Sequence, residues 1–249
     1  MRFYDVTTRS RCNEIPKKSG TGTKAPTIND AIALGLVPSV TEIINIVNKP
    51  YLATWMEDRA FKFAWDSAQT PISYEEAREL YKQSSEQARD RGTELHDQMS
   101  RLEVNDFTQE AVQWLRERYV DIKHEVQFTF FTYGGTIDAI CTKQDGSVDV
   151  LDFKFVMSER SPRDSELWQL AAYRNYLVHE MIAKPGVKVG AINLLILQET
   201  GKIVTAHEWS ERELERGYHT FSALEEAWQI INNYNILRGK RFYEKDSSD

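Results

Sequence analysis

Polar and apolar positions alternate along this chain at two periods, and the change between them outlines the fold. Residues 1–30 are mostly polar and include "KKSGTGTKAPT", which predicts a mobile or loosely docked arm. Ser39 or Thr41 then caps a short helix with an apolar stripe of Ile43, Ile44 and Val47. Pro50 opens a second helix through Trp55 and Phe63. A long helical pattern runs from Ser73 to Leu102, started by the capping-box pair Ser73 and Glu76. Gly92 interrupts that helix at a cost of about 1 kcal/mol against Ala, so a packing or functional reason is expected for it. Another helix covers Phe107 to Tyr119.

After Tyr119 the period drops to two. "IKHEVQFTFFTYGGTIDAICTKQDGSVDVLDFKFV" reads as strands with turns at "YGG" and "QDG". A helix follows from about Asp164 to Ala183. "VGAINLLILQET" is then a buried strand, "KIVTAHEWS" a further strand, and Glu211 to about Leu237 a final helix. That order predicts an α/β fold with a mixed central sheet flanked by helices. Residues 1–72 read as an N-terminal arm and helical extension, and residues 73–249 as the core.

One hairpin carries unexpected charge. In "SVDVLDFKFV" alternation puts Asp152 and Lys154 on one face and Leu151 and Phe153 on the other. A turn centred near Asp145 brings Asp138 opposite Asp152, and cross-strand neighbours lie about 5 Å apart. Like charges facing each other destabilise a sheet. A divalent cation answers them, since Mg2+ is held by one or two carboxylates with waters and phosphates. Lys154 would then orient or help deprotonate a water, or counter phosphate charge. The plainer alternative is an exposed sheet face on which Lys154 neutralises an Asp. Asp149 reads as an ordinary aspartate near the turn on which nothing converges.

Composition narrows the options. The chain has 249 residues, 41% hydrophobic and 28% charged, which suits one domain with embellishments or one large and one small domain. No apolar run reaches the roughly 18 residues of a membrane span, and the N-terminus lacks the apolar stretch of a secretory signal. Two cysteines, Cys12 and Cys141, exclude a four-cysteine zinc or iron–sulfur site within the chain and fit a reducing compartment. A net charge of −7 argues against indiscriminate coating of nucleic acid but leaves room for a local basic groove. No G-x-x-x-x-G-K-[ST] motif is present, so any helicase activity would come from a partner.

The segments "GTELH", "HEVQF", "GGTID", "LDFK" and "QLAAYRNY" stand in this order along residues 92–176. Their order and spacing resemble the PD-(D/E)XK nuclease superfamily, specifically its RecB-like exonuclease branch. "PSVTEIINIVNKPYLATW" resembles the N-terminal region of that branch's small phage and mitochondrial members. The likeness covers most of residues 38–200 and rests on the set, because D-x-K alone is common.

The resemblance implies a restriction-endonuclease-like core and a Mg2+- or Mn2+-dependent exonuclease, without an iron–sulfur cluster. It would act on DNA ends or single strands in replication, recombination or repair. It implies that Asp138 and Asp152 bind the metal, that the Phe153 carbonyl completes the shell, that His96 is a helical ligand and that Lys154 is the catalytic lysine. Glu125 matches a commonly acidic position, for a second metal or a water, or else it pairs with Lys123. Gln169 and Tyr173 match a Q-x-x-x-Y helix that would position Lys154, the metal shell or the phosphate. Plainer alternatives are a packed or capped His96 and a core Tyr173. Gly92, one turn before His96, would let a strand approach. Arg160, Arg163 and Arg174 would form a phosphate-binding patch, or a solvated face. Trp55, Trp65 and Trp168 could stack on bases. The N-terminal helices, about 30–70, would gate or thread a strand. Partners would be DNA and a helicase or a single-strand-binding or annealing protein, in a bacterial or phage-infected cytoplasm, with a mitochondrial setting left open. The rival readings are a structure-specific endonuclease and a non-catalytic DNA-binding module.

Overall fold

The computed structural model describes residues 1–17, 20–47, 73–180 and 186–243. The predicted helix from Pro50 through Phe63, Trp55 and Trp65 lie outside the described residues, as does most of the proposed threading extension.

The described strands are β1 (Phe3–Asp5), β2 (Ser10–Cys12), β3 (Ile15–Pro16), β4 (Thr23–Lys24), β5 (Val37–Pro38), β6 (Asp121–Phe130), β7 (Tyr133–Thr142), β8 (Val148–Val156), β9 (Val189–Leu197) and β10 (Ile203–Glu208). The described helices are α1 (Ile28–Leu34), α2 (Val40–Ile44), α3 (Tyr74–Ser100), α4 (Gln109–Arg118), α5 (Asp164–Glu180) and α6 (Glu211–Ile231). The main sheet has the order β10-β9-β8-β7-β6. Only β8 and β9 run parallel, joined through α5, so the sheet is mixed and the fold is α/β. No described helix is long and apolar enough to cross a membrane.

Helices cover both faces of the sheet. On one, Leu167, Leu170 and Ala171 of α5 and Leu214, Phe221 and Trp228 of α6 pack with Val148, Val150 and Ala191. On the other, Met99 of α3 and Ala111, Val112 and Leu115 of α4 pack with Leu151, Phe153, Ile192 and Leu194. Odd and even residues of β8 therefore go to opposite layers, as alternation requires. Ser39, Ser73 and Ser210 each cap a helix by accepting an amide N–H, and Ser73 and Ser210 complete capping boxes with Glu76 and Glu213.

Four local expectations change. The N-terminal arm is not loose: β2-β1-β5 is a three-stranded sheet with Phe3 and Tyr4 buried. The turn between β6 and β7 lies at Phe131–Thr132, and "YGG" belongs to β7. Gly134 and Gly135 serve packing there, because a Cβ would meet Tyr4 and Phe128 at 2.8–2.9 Å at Gly134 and Tyr173 at 2.8 Å at Gly135. The last helix stops at Ile231. Asn233 takes the left-handed conformation (φ 48°), and the chain turns inward to bury Tyr234, whose hydroxyl donates to Leu36 O at 2.9 Å. Finally, Asp149 is not an idle turn residue. It is buried and accepts from Tyr119 Oη and Lys143 Nζ, each at 2.8 Å.

Candidate metal centre

The site is made where the sheet opens. The β7–β8 ladder pairs Thr142 with Val148 through Ala139 with Leu151, the register of a turn centred on Asp145, and it ends one step short of Asp138 and Asp152. Gly146 supplies the positive φ (82°) that this turn needs. In place of a backbone bond, Asp138 Oδ2 accepts the Phe153 amide N–H at 2.8 Å.

A second irregularity lies on the other side of Asp138. Glu125 and Asp138 fall between the His124–Ala139 and Val126–Ile137 pairs of the β6–β7 ladder, and Glu125 takes φ 49°, a left-handed value rare for a glutamate in a strand. Alternation breaks there. Ala139 and Cys141 pack with α4, whereas Tyr133 and Ile137, also odd-numbered, pack in the α5–α6 layer. The Glu125–Asp138 pair thus marks the point at which the hairpin turns over and leaves β8.

A cavity of about 520 Å³ fills the opening, lined by residues of β1, β2, α2, α3, β6, β7, β8 and α5, with Arg2 and Ser39 beside them. His96 of α3 reaches into it. Its Nε2 lies 3.1 Å from Asp138 Oδ1 and its Nδ1 3.4 Å from Glu125 Oε1. One ligand atom from each of His96, Glu125 and Asp138 falls within 4.8 Å of the other two. Asp152 stands outside that triad. It is fully buried, with Oδ1 2.6 Å from Lys154 Nζ and Oδ2 accepting from Asn193 Nδ2 at 2.8 Å. Asn193 in turn accepts from Trp209 Nε1 at 2.8 Å. Gln169 Nε2 donates to Tyr173 Oη at 3.0 Å, and both side chains border the cavity.

The two carboxylates differ electrically. Burial opposes ionisation of Asp138, but the hydrogen bond and charge of His96, with Lys154 and the Phe153 amide, outweigh it and hold the carboxyl below its usual range. At Asp152 the compensation falls short. Burial, with the nearby Asp138 charge adding to it, pushes it up to about 7 against the pull of Lys154. Burial works against the Lys154 ammonium, yet Asp152 and Asp138 more than offset it and keep the group charged. The bond to Asp138 raises His96. In this state His96 sits between two carboxylates as a cation would.

The donor set suits a divalent ion. One imidazole nitrogen and two carboxylate oxygens form a mixed set that could hold such an ion. His96 must lose a proton to bind, so loading releases protons.

The other expected residues are placed as follows. Phe153 is buried, with its ring edge-on to His96 at 6.4 Å between centroids. Gly92 borders the cavity, and a Cβ there would lie 3.3 Å from Gln198 Nε2, so α3 passes close to the end of β9. Trp168 packs at the edge of the core. The three arginines do not gather into one patch. Arg160 makes two bonds to Glu166, at 2.6 and 3.0 Å. Arg163 borders a smaller cavity that shares Lys154 and Gln169 with the first. Arg174 bonds both Glu211 oxygens and lines a cavity of about 680 Å³ beside Asp149. Asn193 and Trp209 went unnoticed in the sequence, where the one available signal was an Asn inside the apolar run "AINLLIL".

Compared with known proteins, the chain matches no protein-family model and no curated protein.

Proposed function

We propose that this chain is a divalent-metal-dependent deoxyribonuclease with a PD-(D/E)XK core, cutting DNA from an end. One observation carries the reading: His96, Glu125 and Asp138 converge within 4.8 Å at the point where β7 leaves β8, beside the Asp152–Lys154 pair. A merely structural ion pair would not need a third and fourth ionisable group turned toward it. The order of the five sequence segments supports the same reading independently.

A divalent ion bound there would polarise a phosphoryl oxygen and lower the pKa of a coordinated water. The remaining work falls to side chains. His96, Glu125 and Asp138 would hold the ion, and Asp152, once ionised, would stand beside it. Lys154 is cationic and partly exposed, so it acts through charge, binding a phosphate oxygen and stabilising the charge that grows at phosphorus. Burial keeps the Tyr173 hydroxyl protonated well above its usual range, which leaves it a donor for a phosphate oxygen. Gln169 holds that hydroxyl in place.

The test is digestion of linear DNA labelled at either end, with Mn2+, with EDTA, and with Asp138→Ala, alongside circular single-stranded DNA. Mn2+-dependent shortening from an end, lost in the variant, with circles intact, is expected. Cut circles would make it an endonuclease. Cleavage in EDTA, or full activity in Asp138→Ala, would sink the mechanism.

A further inference from the structure

We infer that Arg2 and Arg11, on the small N-terminal sheet, grip the phosphate backbone of the nucleic-acid strand that enters the metal cavity. The inference rests on the proposed function but uses residues outside the 38–200 stretch that carries the family resemblance.

Both arginines line the cavity that holds His96 and Asp138. Among the described residues the lining otherwise carries Lys154 and the His96 imidazole against Glu125, Asp138 and Asp152, which sets three permanent cations and His96 against three carboxylates. Lys154 is already engaged by Asp152 at 2.6 Å. Elsewhere the expected cations are taken: Arg160 by Glu166 and Arg174 by Glu211. Among the described residues, the Arg2 and Arg11 side chains make no ion pair or hydrogen bond. In a chain of net charge −7, they are, among the described residues that line this mouth, the cations left to meet a polyanion.

Their mounting is rigid. Arg2 O accepts from Ser39 N at 2.9 Å. Arg11 pairs with Tyr4 in the β1–β2 ladder, and its own N–H donates to Gln127 Oε1 at 2.9 Å. Tyr4 is buried against Gly134 and bonds Thr136 Oγ1 at 2.9 Å, which ties the small sheet to β7. A guanidinium fork fixed on such a base matches a phosphate with two donors, where an ammonium offers only a point charge.

The experiment measures kcat and KM for Mn2+-dependent digestion of a fluorescein-labelled 20-nucleotide oligothymidylate from 50 to 200 mM NaCl. The proteins are wild type, Arg2→Ala/Arg11→Ala and Arg2→Lys/Arg11→Lys, each checked for an unchanged thermal melt. The alanine pair is expected to raise KM at least about tenfold with kcat within about twofold. It should flatten the slope of log(1/KM) against log[NaCl] by about 1.4, from about 0.7 per lost phosphate contact on a single strand. The lysine pair should recover most of the slope and part of the KM. An unchanged KM and slope in the alanine pair overturns the inference and leaves the nuclease reading standing. Should wild type not digest the probe, digestion of linear duplex DNA decides the nuclease reading, and fluorescence anisotropy of the same probe decides the grip. Binding lost in the alanine pair upholds the grip, and binding absent in wild type or equal in both overturns it.

Discussion

Strand β8 carries two buried aspartates three residues apart, Asp149 and Asp152, and each has a lysine within 2.8 Å. By sequence they look alike. Asp149 lies where β7 and β8 are still paired, opposite Cys141. Tyr119 and Lys143 answer its charge, and Gly190 lets β9 pass so close that a Cβ would strike the carboxylate. Asp152 lies one step past the last pair of the ladder, with a second carboxylate and an imidazole beyond it. The larger cavity is in fact the one next to Asp149. What separates a structural cluster from a reactive one is therefore not the space beside it. At Asp149 every carboxylate contact closes the charge, whereas around Asp138 and Asp152 negative charge exceeds what His96 and Lys154 can hold comfortably.

The sharpest way to break that contrast is to remove one carboxylate from each end. Asp138→Ala should lower the Mn2+-dependent cleavage rate by about a thousandfold or more, the scale of losing a metal that acts on a phosphoryl group. Calorimetric titration should show Mn2+ binding lost as well. Asp149→Asn should leave Mn2+ affinity unchanged. Equal losses at the two positions would mean that both ends belong to one site.

Stability should reverse the ranking. Asp149→Ala strands the Tyr119 hydroxyl and the Lys143 ammonium, and should cost about 2–3 kcal/mol in urea unfolding of the metal-free protein. Lys143 is partly exposed, which keeps the figure below that of a fully buried pair. Asp152→Asn should fall within about 1 kcal/mol of wild type near pH 7. The fold already resists ionising Asp152, so an uncharged amide of the same shape gives up little. A loss at Asp152 as large as at Asp149 would erase the distinction between them.

How much of this was legible follows the same line. The β7–β8 register was readable because a Gly in a tight turn and a clean period of two specify it. The break at Glu125 and Asp138 was not, since alternation rules assume that it continues and nothing in "HEVQF" announces a left-handed glutamate. The three-stranded N-terminal sheet was missed for a related reason: strands of two or three residues show no period, and what holds them is the burial of Phe3 and Tyr4 against distant segments. Arginine partners were equally invisible. Arg174 and Glu211 stand 37 residues apart, and only the packing of α5 beside α6 brings them together. His96, Gln169 and Tyr173 were found through resemblance, and the structure does draw them to one cavity.

Support from behind the carboxylate should produce a smaller effect. Asn193→Leu removes the donor to Asp152 Oδ2 and the acceptor for Trp209 Nε1. Mn2+ affinity should fall by up to about tenfold, the scale for losing support behind a carboxylate beside the ligand triad. Removing the donor to Asp149 in turn, with Tyr119→Phe, should cost about 1 kcal/mol of stability and no Mn2+ affinity.

The smallest effect is one of slope. His96 is raised by Asp138, and Asp152 is raised to about 7 by burial, so near neutral pH both retain protons that a bound cation must displace. The sign follows: protonated forms compete with the ion, so Mn2+ affinity should climb as pH rises from about 6 to 8. Each proton displaced steepens the climb by up to about tenfold per pH unit. Asp152→Asn removes one of the two competing protons. Its titration should still rise with pH, because His96 remains, but less steeply than wild type by a few-fold over that range. Asp149→Asn should keep the wild-type slope. A slope unchanged in Asp152→Asn would show that Asp152 does not share its proton equilibrium with the ion, and would put it with Asp149 among the aspartates that only hold the sheet together.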